Sequence, residues 1–413
     1  MKGSIILNGN IEFEVDYIYK FKEKLLSSIH KDPKVREDKK VLLITAAWRR
    51  DEHREEHVKE AIRDIGIKSL YKDGYDVNIQ NLSIYHMFNE FKKKEPRLYK
   101  FYHEKQENII AVKEFYRKKN HSLVGLLKSQ VRQIRKEFPG TSFAEIMAYD
   151  VKEETRTLVD KNVKQHRFHY YCRDIQYTLK HIRDMDNEMA LVSREIDNYF
   201  FTKSKVMENP TYKTQKEILE KRILSANSIF IFGGNVAVLM NRLNFYKLKD
   251  TFRKALADGT NFFTVSAGSD VLSDKIILYG WVDLEHPEVH RDFEFFDHGF
   301  GLITKLTLFP HCLDRIKTRD PDTLSYLAHR FESSIAVGLD QLSFLKLETY
   351  ADENEQIYER YVSVGKEEGV YVFDKSGKLI VKEFGDELEI PGSKIYESHH
   401  PELFNKSLEW SST

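Results

Sequence analysis

The chain has 413 residues, 31% of them charged, and its 65 basic and 65 acidic residues give a formal net charge of zero, so no global field points to nucleic acid or an anionic membrane. Two distant cysteines, Cys172 and Cys312, form no disulfide framework, and the opening MKGSIILNGN is too short an apolar run for a signal peptide. No stretch approaches the roughly 18 uncharged apolar residues of a membrane span, so a cytoplasmic protein of two or more domain-sized units is expected, without nucleic-acid or membrane partners.

In chain order, SIILNG (4–9) and KVLLITAAW (40–48) read as strands, and DYIYKFKEKLLSSI (16–29) between them has apolar residues at helical spacing. DEHREEHVKEAIRDIG reads as a helix stopped by Gly66, and YDVNIQNLS (75–83) as another strand. This alternation predicts a parallel α/β sheet. It stops near residue 88. From Lys92 to Phe138 apolar residues recur at three- and four-residue steps, and after Pro139-Gly140 the capping-box pair Ser142 and Glu145 opens a second helical run to about residue 203. Two such runs joined at one turn predict an antiparallel coiled-coil hairpin projecting on the order of 60 Å for 40 residues.

The α/β rhythm resumes at NSIFIFGGN (227–235) and continues through NFFTVSAGSDVL (261–272), IILYGWVD (276–283), GLITKLTLFP (301–310) and SSIAVGLD (333–340). A final hairpin, GVYVFDKSGKLIVKEF, turns at Ser376-Gly377. The expected organisation is a discontinuous α/β domain (1–88 and 214–385), a helical insertion (89–213) and a C-terminal tail (386–413).

Three segments carry candidate chemistry. A buried strand running into Ser266-Ala267-Gly268 has the shape of a nucleophile elbow, although Thr264 stands where the usual G-x-S-x-G pattern has its first glycine. The alternative is a tight turn needing small residues. At IFGGN a strand ends on Gly233-Gly234, where backbone N–H groups can turn toward an oxyanion or merely connect strand to helix. Neither a third glycine for a dinucleotide nor a Gly-Lys-Ser/Thr for a phosphate loop is present, so no cofactor is expected. His311 follows an apolar run, where a general base could reach a neighbouring serine, and Arg315 lies four residues beyond. His286 and His290, with His298 further on, could suggest a metal, but Pro287 interrupts the helix they would need and no metal is expected. His166, His169 and Cys172 read as one coiled-coil face, and the basic-aromatic stretches YKFKEK and FYRKKN are balanced by acidic neighbours.

Taken in order, GGNVAVL, TVSAGSDVL, FGLITKLTLFPH and VGLDQLSFL resemble the motifs of the dipeptidase E and cyanophycinase family of serine peptidases, which have a class I glutamine amidotransferase-like fold. The resemblance covers about 1–88 and 214–385. It implies Ser266 as nucleophile, His311 as general base, the N–H groups of Gly234 and Ala267 as oxyanion hole, and Arg315 with Asn235 at the substrate. For the orienting acid it implies Asp283, with Asp340 behind it, because Gln341 occupies the position of the family's alternative glutamate and a glutamine cannot stabilise an imidazolium by charge. The implied substrate is a peptide-like amide, one containing an aspartyl residue in family members. The insertion would serve as a lid or as an arm for a homo-oligomer or protein partner. The competing expectation is a catalytically degenerate scaffold that assembles through that arm.

Overall fold

The computed structural model describes residues 3–27, 39–156, 162–279, 292–351 and 357–390. Its strands are β1 (Ile5–Asn8), β2 (Val41–Ile44), β3 (Tyr71–Lys72), β4 (Tyr75–Asp76), β5 (Ile79–Asn81), β6 (Ser228–Ile231), β7 (Asn261–Val265), β8 (Lys275–Leu278) and β9 (Glu294–His298). They continue with β10 (Leu306–Pro310), β11 (Ile335–Leu339), β12 (Phe344–Ala351), β13 (Ile357–Ser363), β14 (Val370–Phe373) and β15 (Leu379–Lys382).

The central sheet has seven strands in the order β13-β12-β1-β7-β6-β2-β5. From β1 to β5 every pairing is parallel, whereas β12 and β13 add an antiparallel edge. The protein is therefore a mixed α/β molecule with a mostly parallel sheet. Successive residues of the inner strands feed opposite faces. Ile5, Leu7, Leu42, Ile44, Ile229, Ile231 and Phe262 join one core. Ile6, Val41, Leu43, Phe230, Phe232, Phe263 and Val265 join the other. Burial of both faces explains why these strands read as unbroken apolar runs.

Several boundaries depart from the sequence pattern. Val41–Ile44 ends early because a 3-10 segment, Ala46–Asp51, turns the chain away. Tyr75–Asp76 belongs to a surface ribbon with β3, and only Ile79–Asn81 enters the sheet. β8 pairs with β9, while β10, β11, β14 and β15 form a separate four-stranded sheet. Gly66 and Gly377 take left-handed φ values of 103° and 83°, which explains the helix stop and the hairpin turn respectively.

Two 42-residue helices, Pro96–Glu137 and Val163–Ser204, pack along each other. They are not joined at one turn. Short helices Phe143–Ala148 and Val151–Arg156 intervene, and both the Ser142/Glu145 box and an Asn162/Gln165 box are formed. Nor does the pair project freely, as the heptad-like spacing suggested. Near its base Tyr102 and Phe200 join the main core. In its middle Tyr116, Met185 and Met189 pack with Ile277, Phe295 and Phe309. At its far end Phe143 meets Tyr326, and the backbone N–H of Phe143 donates to Asp322 at 2.9 Å. Ion pairs follow the same line, with Lys113 to Asp297 at 2.8 Å, Arg117 to Glu294 at 2.9 Å and Lys128 to Asp292 at 2.7 Å. A coiled-coil seam would bury one narrow stripe per helix; here a second side of each helix is apolar and lies on the α/β body. Among the described residues no helix is long and apolar enough to cross a membrane.

Candidate active site

Ser266 caps the carboxyl end of β7 with φ 51° and ψ −117°, a backbone state L-residues avoid at a cost of about 1–3 kcal/mol. The surrounding small residues make that turn possible. A Cβ on Gly268 would stand 2.0 Å from the carbonyl oxygen of Ile231, so the segment after the serine packs directly on β6. A Cβ on Gly233 would come within 3.0 Å of the Ser266 Cβ. The Ser266-Ala267-Gly268 sequence is thus both a tight turn and an elbow. Thr264 is absorbed one step earlier: its Oγ1 lies 2.8 Å from Ser269 Oγ, which donates to the Asn8 carbonyl at 2.9 Å. The chain then enters a helical turn, with Asp270 N–H donating to Ser266 O at 3.1 Å.

His311 caps β10 in the same way, at φ 58° and ψ 38°. Two strained turns from different sheets therefore bring 266 and 311 together, with Ser266 Oγ 2.8 Å from His311 Nε2. The hydroxyl donates when the imidazole is neutral. Burial, then the cationic Arg315, push the His311 pKa down to about 4, with Asp314 opposing. The imidazole is therefore neutral near pH 7, the form a general base requires.

Neither described candidate for the orienting position hydrogen-bonds the imidazole. Asp340 ends β11, but its Oδ2 accepts the Leu313 N–H at 2.6 Å and its Oδ1 the Gln341 N–H at 2.9 Å. It fixes the loop that carries His311 and makes no hydrogen bond to the imidazole. Gln341 points elsewhere, donating to Glu12 at 3.3 Å. Among the described residues no carboxylate hydrogen-bonds His311. Asp283 lies outside the described residues, as do His286 and His290. His298 is a structural residue, its Nδ1 3.0 Å from the Asp274 carbonyl oxygen.

Gly234 and Ala267 line the same cavity as the pair, and neither N–H donates a hydrogen bond among the described residues. Gly234 has φ 128°, and a Cβ there would be 3.0 Å from the Ala47 carbonyl oxygen, so this turn also needs glycine. Asn235 caps the following helix by accepting the Val238 N–H at 2.9 Å. The cavity measures about 740 Å³ and is also lined by Trp48, Arg49, Arg117, Asp270, Tyr279 and Arg315. Arg117, on the first long helix, and Asp270 escaped the motif reading. Asp270 had a signal, since it stands four residues after Ser266 in a segment entering a helix. Arg117 had none. A Glu52, His53 and His86 cluster outside the lining of this cavity was likewise not anticipated, but the Glu52 carboxylate is occupied by the N–H groups of Tyr85 and His86 and by His86 Nδ1 at 2.6 Å.

A strained strand-end serine, a neutral histidine in hydrogen-bond contact and two backbone N–H groups without a partner among the described residues thus share one cavity of this mixed α/β molecule. Residues 189–351 match the model of peptidase family S51. The resemblance read from the four motifs is thus borne out over that segment, which is similar to serine peptidases of the dipeptidase E and cyanophycinase type. Among solved structures it is similar to a peptidase from an acI-B1 Actinobacterium, at 14% identity over 94% of this chain and 98% of that chain, with a TM-score of 0.44. No curated protein sequence matches it.

Proposed function

We propose that the protein hydrolyses a peptide or isopeptide amide through a Ser266–His311–Asp283 acyl-enzyme mechanism. The 2.8 Å contact between the hydroxyl and the imidazole carries this reading. Ser266 Oγ forms a bond to the substrate carbonyl carbon while its proton passes to His311 Nε2. The N–H groups of Gly234 and Ala267 receive the developing oxyanion, a service that removal of one donor commonly reduces by about 10²–10³ in rate. His311 then gives the proton to the leaving nitrogen as the C–N bond breaks. Water, deprotonated by the same imidazole, clears the acyl group and restores the serine.

Arg315 is exposed at the cavity and its guanidinium makes no hydrogen bond among the described residues, which suits it to a carboxylate on the substrate, such as an aspartyl side chain. Asn235 keeps its amide NH2 for the same ligand. The insertion acts as a wall of this cavity, through Arg117, rather than as a remote arm. Phe115, Tyr170, Tyr177 and Tyr199 are exposed on its outer surface and favour self-association there as a second role. Two reduced, buried cysteines suit a cytoplasmic setting. A fluorophosphonate probe should label Ser266, and Ser266→Ala should remove both the label and turnover while the protein stays folded. An unlabelled Ser266 in the intact chain would leave the scaffold alternative.

A further inference from the structure

Glu52, His53 and His86 take no part in the proposed acyl transfer and do not line its cavity. Glu52 follows the 3-10 segment beyond β2, and its carboxylate is fully buried against the first turn of the helix Ile84–Lys94. Oε1 accepts the Tyr85 N–H and Oε2 the His86 N–H, both at 2.9 Å, so the negative charge sits on the positive end of that helix. Oε2 also lies 2.6 Å from His86 Nδ1. An ionised carboxylate only accepts, so Nδ1 carries the imidazole proton and the Nε2 lone pair is left for a ligand. Nε2 makes no hydrogen bond among the described residues. The exposed His53 faces this ring, with centroids 4.2 Å apart, and one donor atom from each of the three side chains lies within 4.8 Å of the others. His53 also lines a neighbouring cavity of about 300 Å³ with Glu55. Glu55 is 1% exposed; Lys59 holds one of its oxygens at 2.7 Å, whereas Oε2 has no hydrogen-bond partner among the described residues. A buried carboxylate oxygen left in this state favours a cation beside it.

We infer that His53 and His86 bind a transition-metal dication such as Zn2+, with Glu52 orienting His86 from behind. A tetrahedral zinc with Zn–N bonds of about 2.0–2.1 Å holds its donor atoms about 3.3–3.4 Å apart. Rotation of the exposed His53 side chain is enough to reach that separation. The 2.6 Å contact between Glu52 and His86 is too short for both atoms to ligate one ion, which makes the carboxylate a hydrogen-bond partner of the ligand and not a ligand. Two imidazoles select a borderline ion over Mg2+ or Ca2+, which take oxygen donors. Water completes the coordination on the open side. The Glu52 carbonyl is itself held by Thr45 Oγ1 at 2.7 Å and Asn81 Nδ2 at 2.8 Å. The ion therefore joins a fixed turn after β2 to the helix after β5, and its binding stabilises the folded chain.

The test is calorimetric titration of the full chain, stripped by a chelator, with zinc chloride and separately with magnesium chloride. Zinc is expected to bind and to raise the melting temperature as its concentration rises, and magnesium to do neither. His53→Ala and His86→Ala should each weaken zinc at least about tenfold, since loss of an orienting partner alone commonly costs about 10–100-fold. His121→Ala, at an exposed histidine of the first long helix, should leave zinc affinity unchanged. His53→Ala removes only an exposed side chain and should melt with its parent in the absence of metal, which separates lost binding from lost fold. No zinc binding, zinc affinity retained in the His53→Ala/His86→Ala double variant, equal weakening by His121→Ala, or equal binding of magnesium would each overturn the assignment. Heteronuclear NMR of labelled histidine nitrogens tests the part of Glu52. Zinc should shift His86 Nε2 while Nδ1 keeps its proton, and coordination through Nδ1 instead would overturn the orienting role.

Discussion

Arg330 closes the contact between the long helices and the α/β body, and Arg330→Met tests how much that contact supports. Its side chain is fully buried and donates to Asp186 at 2.8 Å and 3.1 Å, to the Phe293 carbonyl at 2.6 Å, to Tyr326 at 2.9 Å and to Asn120 at 3.0 Å. Asp186 is on the second long helix and also accepts from Tyr116 of the first, at 2.6 Å. Methionine fills much of the volume but leaves the Asp186 carboxylate buried without its counterion. Breaking such a pair costs about 3–5 kcal/mol, because the surviving charge has lost both water and partner. With unfolding entropy of about 2.1 cal/mol/K per residue, a single transition of a 413-residue chain should shift down by about 3–6 °C, read by calorimetry. Adding Asp186→Leu removes the orphan charge and should recover most of the loss. A double variant melting as low as, or below, the single one would refute the reasoning, since it would assign the cost to lost hydrogen bonds rather than to the unpaired carboxylate.

Other outcomes bear on the site. His311 accepts a proton only when neutral, so kcat/KM falls as pH drops through its pKa, and a carboxylate on Nδ1 would hold that midpoint above the value of about 4 set by the described surroundings. Asp283→Asn should therefore move the acid limb down toward about 4 and reduce turnover by around 10⁴; an unmoved limb removes Asp283 from the triad. Because the Asp270 pKa is raised in the folded state, the fold holds a proton that the unfolded chain releases, and stability falls as pH rises past about 4. Asp270→Asn should raise the melting temperature at pH 7 and give no gain below about pH 4; equal gains at both pH values would contradict the shift. Gly268→Ala sets a Cβ 2.0 Å from the Ile231 oxygen, and displacing the elbow by even about 1 Å should cost roughly 10² in kcat/KM with the protein still folded. Wild-type turnover in that variant would mean that the elbow tolerates a side chain.

The motifs were legible because each encodes a local steric need. Ser266-Ala267-Gly268 and Gly233-Gly234 mark places where backbone passes so close to backbone that a side chain cannot stand, and such positions show in a single sequence. The buried strands also showed themselves, since burial on both faces leaves apolar runs without alternation. What one sequence could not carry was partnership between distant segments. β10 and β11 look like further strands of the central sheet, yet they pair with β14 and β15 in a second sheet, because pairing depends on neighbours rather than on composition. The same limit hid Arg117, which reads as one more charge on a solvated helix until the helix is laid against the body.

The sequence by itself determined the elements, the strained turns and the chemical identities of serine, histidine and backbone donors, since these follow from steric and polar demands within a few residues. Only the tertiary structure decided that turns 45 positions apart in the chain meet at 2.8 Å, that Asp340 serves a loop rather than the imidazole, and that Arg117 of the first long helix reaches the cavity. Those outcomes depend on which apolar surfaces cover one another, and hydrophobic burial, being non-directional, leaves that choice to the whole fold.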